Sequence, residues 1–377
     1  MASASGSTTT PPRGAAKAPF EYTFPSIRGV QARREYYATM CPLRLIPRLF
    51  LFDEVELVPE LRAQRLLNKG RIPEIAQYIV HNRESYVFSA ITASVDAEVR
   101  FEPLAESDGA RSIGVLHIPM GARFIINDGQ HRRAAIEAAL RDAPELGDES
   151  IPVVMFLDVG LERCQQMFAD LNRHAIRPAT SLGVLYDHRD ENARITKTTV
   201  LRIPLFKELT ETERSTLSAR SRKLFTLSAL HVANRSLLGS AATDATDRVS
   251  LATTFWEQVS NQFPEWRQVQ EGRVAAADVR RDMLHPHGIT LQALGRVGGT
   301  LLRDYGESWP KLVKRLGRMD WRRSNGRLWE GRALVGGRVS KSSNNVTLTT
   351  NLVKRHLDVP LTVDEQRVED AFLRGTA

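Results

Sequence analysis

The chain has 377 residues, 42% of them hydrophobic, with 52 Lys/Arg, 44 Asp/Glu and only two cysteines. That length and apolar content suffice for two domains with cores of their own. Two cysteines exclude a disulfide framework and the four thiolates of an ordinary iron–sulfur cluster. The longest apolar runs fall far short of the roughly 20 residues that span a bilayer. The N-terminus lacks the apolar stretch of a secretory signal, so the cytoplasm is the expected location.

Residues 1–19, rich in Ser, Thr, Pro and Ala, read as a disordered tail. Beyond it, strand and helix signals alternate. Pro47–Asp53 (PRLFLFD) reads as a strand. A helix follows between Pro59 and Gly70, and a shorter one begins near Pro73. Tyr86–Val95, Ser112–Ile118 and Arg123–Asp128 are strand candidates from their β-branched and aromatic content. An alanine-rich helix, the strand Ile151–Asp158 and the helix Leu161–Arg173 complete a mixed α/β domain over 20–177. Cys164 lies on the apolar stripe of that last helix and reads as a core residue. From residue 178 to 377 the periodicity is helical. Arg222–Gly239, Arg248–Phe263 and Ile289–Gly306 are helix segments, and a final helix opens with the capping box Thr362/Glu365.

The net charge is +8, and its placement says more than its size. Between Arg303 and Lys341 stand eleven Lys/Arg against four Asp/Glu, which leaves the rest of the chain nearly neutral. Lys311, Lys314, Arg315, Arg318, Arg322, Arg323, Arg327, Arg332, Arg338 and Lys341 are the candidate DNA contacts. Trp309, Trp321 and Trp329 are interleaved with them and read better as core than as stacking platforms. Glu213–Phe225, with Arg214, Arg220, Arg222 and Lys223, is a second basic element or a solvated linker. A helix-turn-helix over Val346–Leu373 is rejected, because its second helix is acidic and the duplex would repel it. His174, His188, His231, His285 and His287 lack ligand spacing, so no metal site is expected.

The most pointed local signal is RFIINDGQHRRAAIEAAL, residues 123–140. It is a strand, a turn at Asp128-Gly129 and a helix whose first turn is Gln130, His131, Arg132 and Arg133. Cations oppose the helix dipole at that end, by a few tenths to about 1 kcal/mol each. One reading places an anion there, cradled by the turn's N–H groups and both arginines. The other pairs Asp128 with Arg132 across one turn and leaves Arg133 in solvent. Cys41 is either a reactive, DNA-proximal thiol or a small buried hydrophobe.

The DGQHR stretch, together with RAQRLLNKGRIPEIAQYI, MFADLNRHAIRPATSLGVLYDHRD, RSRKLFTLSALHVANRSLL and RVSKSSNNVTLTTNLVK, resembles the DndB family of DNA sulfur modification proteins. The likeness runs from about Tyr36 to the end, within the ParB/sulfiredoxin-like superfamily. It implies a ParB/sulfiredoxin-like α/β domain followed by a helical, basic domain. It also implies a DNA-binding repressor of the phosphorothioate modification genes, with promoter DNA and other modification proteins as partners. For such an operator reader a homodimer is an option, because paired half-sites need paired readers, though nothing in the sequence shows it. Relatives in the superfamily hold nucleotide phosphates at the matching G-x-x-R element. The resemblance therefore allows ATP or CTP with Mg²⁺ at Asp128, Gly129, Gln130, His131, Arg132 and Arg133. The alternative it leaves open is an NTP-hydrolysing or DNA-phosphate-acting enzyme, with Asp128 and His131 catalytic.

Overall fold

Two long strands precede every element read from the sequence. β1 (Glu21–Gln31) and β2 (Arg34–Pro42) pair antiparallel, with Ser26 opposite Thr39. Ala32 and Arg33 reverse the chain between them with φ of 50° and 64°, the left-handed pair that matches the twist of a two-residue hairpin turn. These strands belong to a computed structural model that describes residues 20–50, 70–107, 109–157, 166–167, 170–171, 179–239, 245–340 and 342–375. The tail, the helix expected between Pro59 and Gly70, most of Leu161–Arg173, Cys164, His174 and Lys341 lie outside the described residues. The chain divides into two compact units, residues 1–176 and 177–377.

In the first unit, α1 (Ile46–Leu49) and α2 (Arg71–His81) are followed by β3 (Ile91–Asp96), β4 (Arg100–Pro103), β5 (Ile113–Pro119) and β6 (Arg123–Asp128). α3 (Gln130–Asp142) and β7 (Ser150–Leu157) come last. The seven strands form one mixed sheet in the order β4-β5-β1-β2-β7-β3-β6, and only β3 and β7 run parallel. Burial alternates along β2, β5 and β7, as one covered sheet face requires. On that face Tyr37, Ile91, Val95, Leu116, Ile126, Val153 and Met155 pack with Ile79, Ile136 and Ala139 from α2 and α3.

Two expectations need correction here. Pro47–Asp53 is not a strand where it is described, because Ile46–Leu49 make a helical turn. The strand expected from Tyr86 begins only at Ile91. Both departures have the same cause. Carbonyls of these segments are held by arginines of α3 rather than by a strand partner: Pro47 and Phe50 by Arg133, Ala90 by Arg132.

The second unit begins with α4 (Thr180–Tyr186), α5 (Glu191–Arg202) and α6 (Pro204–Leu209). A two-residue parallel ladder joins Thr210–Glu211 to Phe225–Thr226. Then come α7 (Leu227–Leu238), α8 (Ala245–Ser260), α9 (Pro264–Gln270), α10 (Ala276–Asp282), α11 (Gly288–Asp304), α12 (Trp309–Val313) and α13 (Gly326–Trp329). A small hairpin pairs Leu334 with Val339, and α14 (Ser343–His356) and α15 (Val363–Leu373) close the unit. α11 is buried along most of its length. Gly295 allows the contact with α7, since a Cβ there would stand 2.2 Å from the carbonyl oxygen of Ala233. The core is aromatic, with Trp256, Trp266, Trp329, Phe206, Phe225, Phe255 and Phe263 fully buried. Among the described residues no helix is long and apolar enough to cross a membrane.

Candidate nucleic-acid interface

β6 delivers Asp128, opposite Thr92 of β3, to a turn that only glycine fits. Gly129 has φ of 113° and ψ of 13°, and a Cβ there would meet Ile91 Cγ1 at 3.0 Å and Arg132 Nη2 at 3.1 Å. α3 then starts with no acidic residue in its first turn and no side-chain cap. Arg132 folds back across that turn. Its Nη2 donates to Asp128 Oδ2 (2.6 Å) and to Ala90 O (3.1 Å), and its Nη1 donates to Ser89 Oγ (2.6 Å). Gln130 Nε2 donates to Ile126 O at 3.3 Å. Burial, then the charges of Arg71 and Arg132, keep His131 below the ordinary histidine pKa, against an opposing effect of Asp128.

Arg133 fits neither reading of the sequence. It is 8% exposed, so it does not point to solvent. Its Nε donates to Phe50 O (2.9 Å), Nη2 to Pro47 O (3.2 Å) and Nη1 to Glu137 Oε2 (2.5 Å), so its donors face inward rather than toward a ligand. A buried guanidinium is tolerable only when such partners replace its water. The pairing of Asp128 with Arg132 is present, and the two cations at the helix start are explained by contacts inside the fold. A separate cleft of about 300 Å³, lined by Leu43, Tyr86, Phe88, Glu149 and Ile151, includes none of the turn's residues. Cys41 is fully buried in the sheet core and burial pushes its thiol up to about 12, so the reading as a reactive or DNA-proximal thiol does not hold.

The candidate DNA contacts of the second unit sort into three groups. Arg332 is core: 8% exposed, it donates to both carboxylate oxygens of the fully buried Glu369 (2.6 and 3.0 Å) and to Leu348 O (2.9 Å). Its expected role as a DNA contact is therefore corrected. Arg315, Arg322 and Arg323 have partners on the protein. Arg315 pairs with Asp358. Arg322 grips Asp320 at 2.8 and 2.9 Å and holds that carboxyl well below the usual carboxylate range. Arg323 donates to the carbonyls of Arg281 (3.3 Å) and Gly337 (3.1 Å). Lys311, Lys314, Arg318, Arg327 and Arg338 are exposed, with no carboxylate partner among the described residues.

The tryptophans belong to the core. Trp321 is 5% exposed and Trp329 fully buried, with indole N–H groups donating to Leu316 O and Asp320 O, both at 2.9 Å. Trp309 is half-buried beside Phe255. Of the four acidic residues of α15 that argued against a recognition helix, Asp364 and Asp370 are exposed and Glu365 and Glu369 turn inward. Glu365 takes two bonds from Lys354 (both 2.8 Å), and Glu369 takes Arg332 and Arg355. His285 accepts from Trp266 Nε1 (2.8 Å) and His287 meets Arg280 O (2.8 Å). Among the described residues no group of three or more His, Cys, Asp and Glu could hold a metal ion. Arg280 itself escaped the sequence reading. Its four carbonyl partners lie about sixty positions away, and a DVRRD stretch gives no local sign of them.

No curated protein and no solved structure matches the chain. A family model does: that of DndB, described as DNA-sulfur modification-associated, matches residues 24–360 and so spans both units. The chain belongs to the DndB family of DNA-sulfur modification-associated proteins.

Proposed function

We propose that the protein is a DNA-binding repressor of the DNA phosphorothioate (sulfur) modification gene cluster. In this reading the first unit is a ParB/sulfiredoxin-like domain and the second supplies the phosphate contacts. The observation that carries it is the set of exposed cations Lys311, Lys314, Arg318, Arg327 and Arg338, which no carboxylate among the described residues neutralises, in a member of this family. Cations left open on one stretch release counterions when they meet a polyphosphate, and that release drives association. A phosphate of DNA, or of ATP or CTP, at the Gly129 turn competes with Asp128 for Arg132, so the turn tunes binding rather than supplying most of it. Enzymatic NTP hydrolysis is the second reading, favoured by a His131 held neutral beside Asp128.

Fluorescence anisotropy with the cluster's own upstream duplex and a scrambled control, over a salt series with and without ATP or CTP, tests both. Sequence-dependent binding indifferent to nucleotide is the expected result. Replacing both Arg327 and Arg338 by Gln should flatten log K against log salt by about 1.8, at about 0.9 per phosphate contact. A slope unchanged in that variant removes the basic stretch from the interface. Nucleotide turnover abolished by Arg132→Gln favours the enzyme.

A further inference from the structure

The open cations of the second unit do not all come from one stretch of sequence. The loop Glu213–Lys223 leaves the short ladder at Thr210–Glu211, returns to it at Phe225 and carries Arg214, Arg220 and Arg222, all exposed. Its shape is set from outside. Arg280, near the end of α10, donates to the carbonyls of Ser218 (2.9 Å), Ala219 (3.5 Å), Ser221 (3.1 Å) and Lys223. Among the described residues no carboxylate balances that guanidinium, and burial draws its pKa below the ordinary arginine value. The same helix end is also fastened to the basic stretch. Met283 bridges Arg322, the Arg323 N–H donates to Asp282 O (2.8 Å), and the Arg323 side chain links Arg281 O to Gly337 O, next to Arg338.

Two arginines thus act as fasteners, Arg280 on the loop and Arg323 on the hairpin, and both bind carbonyls, so their charge remains. Arg281 is balanced by Asp278 and Asp282, and Arg322 by Asp320. Arg220, Arg222, Arg327 and Arg338 have no carboxylate partner among the described residues. We propose that the loop Glu213–Lys223, the end of α10 and the segment Arg322–Arg338 form one composite cationic face that follows the phosphate backbone of a double-stranded nucleic acid. The inference rests on the DNA-binding reading above and extends it to residues a hundred positions away. A duplex fits better than a single strand. The only aromatic residue in these three segments is Trp329, which is fully buried, so unpaired bases find nothing there to stack on.

The experiment measures duplex affinity against salt for the full chain, for Arg220→Gln/Arg222→Gln and for Arg327→Gln/Arg338→Gln. All four side chains are exposed, so thermal melts should coincide with wild type. Each pair is expected to lower the salt slope by about 1.8 and to weaken binding several-fold at fixed salt. If Arg327→Gln/Arg338→Gln lowers the slope while Arg220→Gln/Arg222→Gln changes neither slope nor affinity, the composite face is wrong and the DNA-binding reading stands. Failure of wild type to bind duplex at the lowest salt overturns both. A single-stranded oligonucleotide of the same sequence bound more tightly than the duplex overturns the choice of partner.

Discussion

The Gly129 turn and the basic stretch of the second unit look alike in sequence, each a cluster of arginines, and they use those arginines in opposite ways. In the turn the fold takes them all. Arg132 closes on Asp128, Ser89 and Ala90, and Arg133 is sunk against Pro47 and Phe50. In the basic stretch one arginine, Arg332, is sunk in the same manner, four (Arg303, Arg315, Arg322 and Arg323) have partners on the protein, and Arg318, Arg327 and Arg338 stay open with Lys311 and Lys314. An arginine is therefore evidence for a ligand only after the carbonyls and carboxylates of its own fold have been counted. By that measure the proposed DNA contacts fall on the less conspicuous stretch rather than on the local motif.

The largest effects should come from the two sunken arginines, which the comparison says are structural. Arg332→Met leaves Glu369 fully buried with only Arg355 and Asn351 beside it. Because Arg355 still pairs with the carboxylate, the loss should stay at the low end of the cost of breaking a buried pair, about 3 kcal/mol, read as a lowered urea midpoint of the second unit. Arg133→Met strands two backbone carbonyls instead of a charge, so about 2 kcal/mol is expected in the first unit. If either variant melts like wild type while losing DNA affinity, that arginine belongs to the interface and the comparison fails.

Acid tests the second unit in another way. His231, His285 and His287 in the second unit are all held below the ordinary value, chiefly by burial. For His287, where Arg280 and Arg323 add positive charge, the pKa falls to about 4. Between that value and about 6.5 the unfolded chain binds a proton that the folded one refuses, so stability falls as pH drops through this window. His287 alone should account for about 2 kcal/mol between pH 7.5 and pH 5. Urea titrations of wild type and His287→Asn at the two pH values check this, and equal pH dependence in both would remove His287 as the cause.

What the sequence disclosed follows from how local each cause is. The strand Arg123–Asp128, its turn and the helix after it were legible because β-branched and aromatic content and Gly129 act over a few residues. The Thr362/Glu365 capping box was legible for the same reason. β1 and β2 were missed. β1 carries Pro25 inside a strand flanked on both sides by partners, a residue that argues against a central strand. The turn at Ile46–Leu49 and the late start of β3 depend on arginines some forty to eighty residues away, which no local pattern encodes. The loop Glu213–Lys223 was visible as basic, but its joining to Arg338 was not, because Arg280 and Arg323 make that connection through backbone carbonyls.

The smallest predicted effect tests the turn directly. Asp128 is half exposed, and pairs of that kind contribute about 0–1 kcal/mol, so Asp128→Asn should hardly shift the unfolding midpoint. Its value lies elsewhere, since it takes the carboxylate away from Arg132 Nη2 while Ser89 and Ala90 still hold the guanidinium in place. If an anion belongs at the Gly129 turn, inorganic phosphate titrated against the variant should bind several-fold more tightly than to wild type, because the competing charge is gone. The slope of duplex binding against salt should not move. Phosphate affinity equal in the two proteins would mean that Arg132, like Arg133, serves only the fold, and would leave the second unit as the sole carrier of the anion chemistry.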